Sequence, residues 1–497
     1  MTPASSVSRA SESLDIFTRR SQPKVEIELT GQKPRLVNSY TTGDQIEGVA
    51  TITVEHDTRF DEVDIVLQGT SRAIVERTVC PGRTGSQQMF LKLRQPIDYS
   101  DYPTPRLLEP GREYRFPFTF TVPEQLLPQV CRHDTTHDHV HRAHTMLPPT
   151  LGDPMLSGNG KTLLDDMAPE MSQVAYVIQV SVLKRSSTDQ SQIKPLANIG
   201  KKVRIIPRVE EEPPINVAGH AFYCTRKEKS VKRGFLRGKL GRMVMSSAQP
   251  GPIQLLPPGC EASDTVSTVA TVQLRFDPLG DEQPPLLGSM VSKLRSSTFF
   301  SANPWEDFPC QSGNLPFSQV GQGLFTESVP LSTMSVQSAQ WKKHSLRSEG
   351  SRCDSFHSSS SDDSTGPSEA FSGDTYYTAT IVIPVTLPKH KAFVPTFHSC
   401  LIARTYALDL SLTWHTPGAN VLTPTISLRL PIQITTQSKS GGLIKSSLGV
   451  VVTQEELDQF FQPRLVSPPT DVVNVDLAPP EYTEMSVVPV PQTVQST

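Results

Sequence analysis

The sequence predicts an all-β chain built from antiparallel β-sandwiches. Three observations point there. Apolar residues recur with a period of two along many short runs, as in strands that bury one face. Helical periodicity is nearly absent. Breaker residues punctuate the runs: proline supplies 44 of 497 residues, about 9% against a usual share of about 5%.

In chain order, residues 1–21 are Ser/Arg-rich and read as a disordered N-terminus. "KVEIELTG" then alternates Val25, Ile27 and Leu29 inward with Glu26 and Glu28 outward. "TTGDQIEGVATITVE" opens with a turn at Gly43-Asp44 and sets Ile46, Val49, Ile52 and Val54 in strand context. "FDEVDIVLQGTSRAIVER" (60–77) puts Val63, Ile65 and Leu67 on one face, and "YRFPFTFTVPEQL" (114–126) alternates Phe116, Phe118, Phe120 and Val122. After an irregular insert, "AYVIQVSVLKR" (175–185) and "KKVRIIPRV" (201–209) are two more strands. Regularly spaced strands with turn signals between them predict a sandwich lobe over 22–209.

The proline break "EEEPPIN" (210–216) separates a second strand set over 215–436: "STVATVQLRFDP" (267–278), "TYYTATIVIPVTLP" (375–388), "SCLIARTYALDLSLTWH" (399–415) and "TISLRLPIQITT" (425–436). A Ser/Pro/Gly-rich insert at about 301–374 interrupts it, including "FHSSSSDDSTGPSE" (356–369). Such composition buries too little apolar surface to offset the entropy of ordering, so disorder is expected. The tail over 437–497 reads as disordered apart from one short helical candidate, "TQEELDQFF" (453–461), with Thr453 and Glu456 at capping-box positions.

Bulk composition narrows the function classes. With 47 basic and 50 acidic residues the net charge is -3, which argues against a nucleic-acid binder. Cys80, Cys131, Cys224, Cys260, Cys310, Cys353 and Cys400 are scattered and odd in number, with no CxxC pair. That pattern fits free thiols in a reducing compartment. The first thirty residues hold no signal-peptide core, and no run of about 18 apolar residues occurs. The expectation is a cytoplasmic protein.

The strands of the first lobe carry a family resemblance. "NSYTTGDQIEGVATITVEHDTRFDEVDIVLQGTSRAIVER" (38–77) resembles the opening of an arrestin N-terminal lobe of the fungal α-arrestin type, the arrestin-related trafficking adaptors. The matching residues are Gly43, Asp44, Ile46, Gly48, Val49 and Ile52, then Ile65, Leu67, Gly69 and Ser71. "YRFPFTFTVPEQLLP" is similar to the next landmark, an aromatic strand ending in Val-Pro, and "AYVIQVSVLKR" to the strand that closes the first lobe. "VQLRFDP" and "TFF" (298–300) suit the second lobe. The resemblance covers roughly 22–436 with gaps at the inserts, and the His-rich and Ser-rich inserts depart from it. It implies an arrestin-like pair of β-sandwich lobes and an adaptor without catalytic site or cofactor. It implies that the lobes bind cytosolic tails of membrane transporters or receptors, and that a WW-domain HECT-type ubiquitin ligase is recruited for endocytosis at the plasma membrane and endosomes. An arrestin-fold signalling scaffold on a seven-helix receptor tail, as in ambient-pH sensing, is the alternative.

Pro479-Pro480-Glu481-Tyr482, within "LAPPEYTEM" (477–485), forms the PPxY motif such a ligase grips. Pro479 and Pro480 preset polyproline II geometry, so docking between WW-domain aromatics costs little entropy, and the Tyr482 ring fills a neighbouring pocket. "RKEKSVKRGFLRGKLGRM" (226–243) carries Lys229, Lys232, Arg233, Arg237, Lys239 and Arg242. Leu236, Leu240 and Met243 at helical spacing allow a basic amphipathic turn on an anionic membrane surface or an acidic cargo tail. The plainer reading, favoured because Gly234, Gly238 and Gly241 weaken a helix, is a solvated loop between strands.

"CRHDTTHDHVHRAH" (131–144) gathers His133, His137, His139, His141 and His144 with Asp134 and Asp138. It reads as a solvated loop, with zinc ligation, including in an enzyme, or pH sensing as alternatives. "SGNGKT" (157–162) lacks the first glycine of a phosphate-binding loop, Met155 standing in its place. "SSSSDDS" (358–364) suits acid-directed phosphorylation, or serves as a polar spacer. No other motif set of an enzyme appears, so no catalytic residue is expected.

Overall fold

The computed structural model describes residues 22–32, 36–76, 82–158, 162–185, 193–215, 217, 222–232, 238–257, 266–310, 321–345, 366–369, 371–415, 423–436, 465–466 and 473–477. The fold is all-β and arrestin-like: two antiparallel sandwich lobes in sequence.

In the first lobe one sheet orders β1 (Lys24–Leu29), β3 (Gln45–Thr53) and β8 (Tyr114–Thr121). The facing sheet orders β2 (Ser39–Tyr40), β10 (Ile193–Ile205), β9 (Ser172–Arg185), β5 (Glu62–Glu76) and β6 (Arg83–Arg94). A short ribbon pairs β4 (Thr58–Arg59) with β7 (Leu107–Leu108). Period-two alternation explains the packing. Val25, Ile27, Leu29, Ile46, Ile52, Phe116, Phe118 and Phe120 from one sheet meet Ile65, Leu67, Tyr176, Ile178, Val203 and Ile205 from the other in one core. Val49 sits on the opposite face of its strand and is only half-buried, with Ala50 taking the core position.

In the second lobe one sheet orders β11 (Arg226–Lys232), β12 (Lys239–Ser247), β14 (Ser267–Pro278), β18 (Thr375–Thr386) and β17 (Lys342–Ser345). The other orders β16 (Gln322–Ser335), β15 (Leu286–Ser301), β20 (Ile402–His415) and β19 (Phe397–His398), with β21 (Thr425–Ile432) also on β20. β13 (Ile253–Leu255) runs parallel to β22 (Ile434–Thr436). Met243, Leu274, Phe276 and Ile383 pack against Leu294, Leu408, Leu410, Trp414 and Leu430. The linker between lobes is pinned: Gln433 accepts from the Glu212 amide at 2.9 Å and donates to its carbonyl at 2.8 Å.

Three stretches differ from expectation. The 301–374 segment, read as a disordered insert, contains β16 and β17. β16 is an edge strand, where Pro330 removes no interior ladder bond. Only Val329 of this strand is fully buried, so no alternating apolar face marks it in the sequence. The "SSSSDDS" run lies outside the described residues.

The His-rich insert, read as a solvated loop, contains helix α1 (Asp138–His144), with Val140, Ala143 and His144 buried. Its short apolar stripe is masked by the polar histidines. A second short helix, α2 (Pro154–Ser157), is capped by Asp153, whose carboxylate accepts from the Met155 amide at 3.1 Å and the Leu156 amide at 3.4 Å.

The tail read as disordered returns as β23 (Leu465–Val466) and β24 (Val473–Leu477), both antiparallel to β6. β6 is otherwise the free edge of its sheet, and an open row of backbone donors and acceptors templates an added strand. The N-terminus 1–21 and the 453–461 helix candidate lie outside the described residues.

Candidate functional site

Pro479, Pro480 and Tyr482 lie outside the described residues. The chain leading to them does not. β24 runs in register with β6 from Val473 opposite Gln87 to Leu477 opposite Arg83. It ends at Leu477, two residues before Pro479 in the sequence.

The basic segment is neither a helix nor a loop throughout. β11 and β12 form an antiparallel hairpin, with Lys229 opposite Met243 and Lys232 opposite Lys239. The amphipathic-turn expectation is therefore corrected. Leu240 and Met243 point into the second-lobe core because they are core positions of a strand. Lys229, Lys232 and Lys239 are exposed, the first two on the edge strand β11 and Lys239 at the start of β12 beside them. Lys229 also donates to the Thr425 carbonyl at 2.6 Å. Arg242 and Arg226 both bond Glu228, at 3.3 Å and 2.8 Å, so their charge is partly met locally. Arg233 and Arg237 lie outside the described residues. Edge lysines have a bland role in discouraging edge-to-edge pairing, yet the Lys232–Lys239 pair places like charges across from each other, which an anion would relieve.

The lobes meet around residues that the sequence does not bring together. Phe300, Ala302, Val394, Phe397, Cys400 and Leu401 of the second lobe join the first lobe's core. The Arg404 side chain, fully buried, donates to the Asp166 carbonyl at 2.9 Å, the Met167 carbonyl at 3.1 Å and Ser296 Oγ at 2.7 Å. Lys391 pairs with Asp165 across the junction and with Glu327 at 2.7 Å. The Thr136 amide, just before α1, donates to the Glu306 carbonyl at 2.8 Å.

At this junction Cys131, His133, His144 and Cys400 converge, with one ligand atom from each lying within 4.8 Å of the others. Cys131 Sγ is 3.3 Å from His133 Nε2 and 3.5 Å from His144 Nδ1. Cys131, His144 and Cys400 are buried and His133 is half-buried. The Cys131 thiol is held well below its ordinary range, first by its bond with Cys400 and then, against burial, by the two histidines. Cys400 is pushed the other way by that same bond and by burial. Burial works against the charged form of His133, but its bonds to Cys131 and the Asp134 carbonyl raise it overall. Burial, and then the charge of His144, pushes neighbouring His398 down to about 4.

Of the five histidines singled out in the sequence, the structure gathers only His133 and His144. His137 and His139 are exposed on α1 or its cap. Cys400 was missed because it comes from the other lobe. The available signal was spacing: Cys131-Arg132-His133 and His398-Ser399-Cys400 both set a cysteine and a histidine two apart.

Residues 95–166 match a protein-family model described as Bul1 N terminus. Over an alignment of 169 residues the chain is 27% identical to Bypass of stop codon protein 5 of Saccharomyces cerevisiae, covering 28% of this chain and 32% of that protein. The chain thus matches about a third of the relative's length. The matched segment runs through the His-rich stretch and up to Asp166 at the lobe junction.

Proposed function

We propose that the chain is a non-enzymatic adaptor linking cytosolic tails of membrane transporters or receptors to a WW-domain HECT-type ubiquitin ligase. It works in the cytoplasm and is recruited to the plasma membrane and endosomes, where the bound cargo is marked for endocytosis and sorting. The observation that carries this reading is the order of parts: two arrestin-like lobes, an edge strand, and then Pro479-Pro480-Glu481-Tyr482.

The lobes select cargo, the motif holds the ligase, and surface lysines accept ubiquitin. The exposed Lys229, Lys232 and Lys239, with Arg233, Arg237 and Arg242 in the same segment, supply a cationic edge for an anionic membrane or acidic cargo tail. Similarity to the Bul1 N terminus supports the adaptor class. Among the described residues no helix is long and apolar enough to cross a membrane; in this reading bound cargo and surface charge bring the chain to membranes.

The test is direct binding of the purified full chain to isolated WW domains. The expected result is that Tyr482→Ala weakens binding by more than about tenfold, because an empty tyrosine pocket leaves only the proline contacts. Wild-type affinity in that variant would show that the motif is not the docking site.

A further inference from the structure

The Cys/His cluster at the lobe junction has the composition and placement of a closed metal site. Two thiols and two imidazoles make a tetrahedral donor set for a borderline-soft cation, and zinc is the common occupant of such sets. With metal–sulfur bonds of about 2.3 Å and metal–nitrogen bonds of about 2.0 Å, the ligand atoms of a tetrahedron sit about 3.3–3.8 Å apart. The Cys131–His133 and Cys131–His144 separations, 3.3 Å and 3.5 Å, already match. The widest separation, within 4.8 Å, needs a contraction of at most about 1–1.5 Å.

The surrounding hydrogen bonds fit the same reading. His133 Nδ1 lies 3.0 Å from the Asp134 carbonyl, so that nitrogen carries the proton and Nε2 is left as a lone-pair donor facing Cys131. His144 is 1% exposed, yet its Nε2 has no hydrogen-bond partner among the described residues. Keeping an imidazole buried with one ring nitrogen unpaired is costly, and a role for the other nitrogen, 3.5 Å from Cys131 Sγ, accounts for the ring being held there. His398, packed on the same helix, also has a buried Nδ1 without a partner.

We propose that Cys131, His133, His144 and Cys400 bind one zinc ion that clips the two lobes together. Three ligands come from the segment around α1 in the first lobe, and Cys400 comes from the turn between β19 and β20 in the second. Binding releases the thiol protons to solvent and leaves two thiolates on the metal. The ion closes a loop through most of the second lobe, so it fixes how the lobes sit against each other. The clip stands apart from the tail motif: it survives Tyr482→Ala, and WW-domain binding survives its loss.

The test uses the full chain, expressed with zinc in the medium and desalted without chelator. Elemental analysis is expected to find about one zinc per chain. Replacement by cobalt(II) is expected to give the ligand-field bands of tetrahedral, thiolate-bound cobalt. Cys400→Ser and His144→Gln are each expected to weaken metal retention more than about tenfold against a competing chelator, whereas His137→Gln and His139→Gln keep it. Should the ligand variants fail to fold, the cobalt spectrum of the unmodified chain decides. The proposal is overturned by a chain that holds no zinc and gives no such spectrum, by ligand variants that keep wild-type metal content, or by a mass showing a Cys131–Cys400 disulfide.

Discussion

Gly48 shows how single residues set the first lobe. A Cβ built there would lie 2.3 Å from the Glu28 carbonyl oxygen and 2.5 Å from the Phe118 ring. The missing side chain leaves room for that ring against β3. Gly69 does the same for Phe90, at the register slip between β5 and β6. Gly43 serves a different need: its φ of +83° makes the turn before β3, and the Asp44 carboxylate accepts from the Thr41 amide at 3.0 Å. Gly48→Ala is expected to cost about 1–3 kcal/mol through overpacking. Its check is the denaturant midpoint, and an unchanged midpoint would mean the ring moves aside freely. These glycines were legible because steric need leaves a glycine in the sequence. Arg404 was not. In "LIARTYALDL" it is a lone charge on the same face as Ile402, Tyr406 and Leu408, and only the neighbouring lobe's carbonyls at Asp166 and Met167 explain its burial.

At the scale of elements, legibility followed the contrast between faces. β1, β5, β8, β9, β14 and β18 announce themselves because apolar and polar residues alternate cleanly. β15 does not, although it pairs on both sides at the centre of its sheet. Its buried positions include Ser292, Ser296, Ser297 and Thr298, small polar residues that carry no periodic apolar signal. Ser292 finds its partner in Ser332 of β16, 2.8 Å away. The β11–β12 hairpin was misleading in the opposite way, since Leu240 and Met243 happen to sit at helical spacing. Its exposed lysines give a separable expectation. Changing Lys229, Lys232 and Lys239 together to Gln should reduce sedimentation with anionic vesicles, and more so at low salt. Equal sedimentation of the variant and the unmodified chain would move the membrane contact elsewhere.

For the whole molecule, the strand order yielded the two lobes, while the contacts that join them were invisible. Pairings such as Lys391 with Asp165, or Cys400 with Cys131, link residues far apart in sequence through no periodic pattern. The tail motif was readable as a pattern, but its approach was not: a strand added to the edge of β6 depends on which edge the fold leaves open. The proposed function joins these levels: two lobes packed through a shared core, and a tail motif that follows the last paired strand in sequence. Crosslinked affinity purification from cells, comparing the full chain with one lacking residues 478–497, tests it most directly. The expected result is that the shortened chain loses the ubiquitin ligase and keeps its membrane proteins. Undiminished ligase on the shortened chain, or no membrane protein on either, would contradict it.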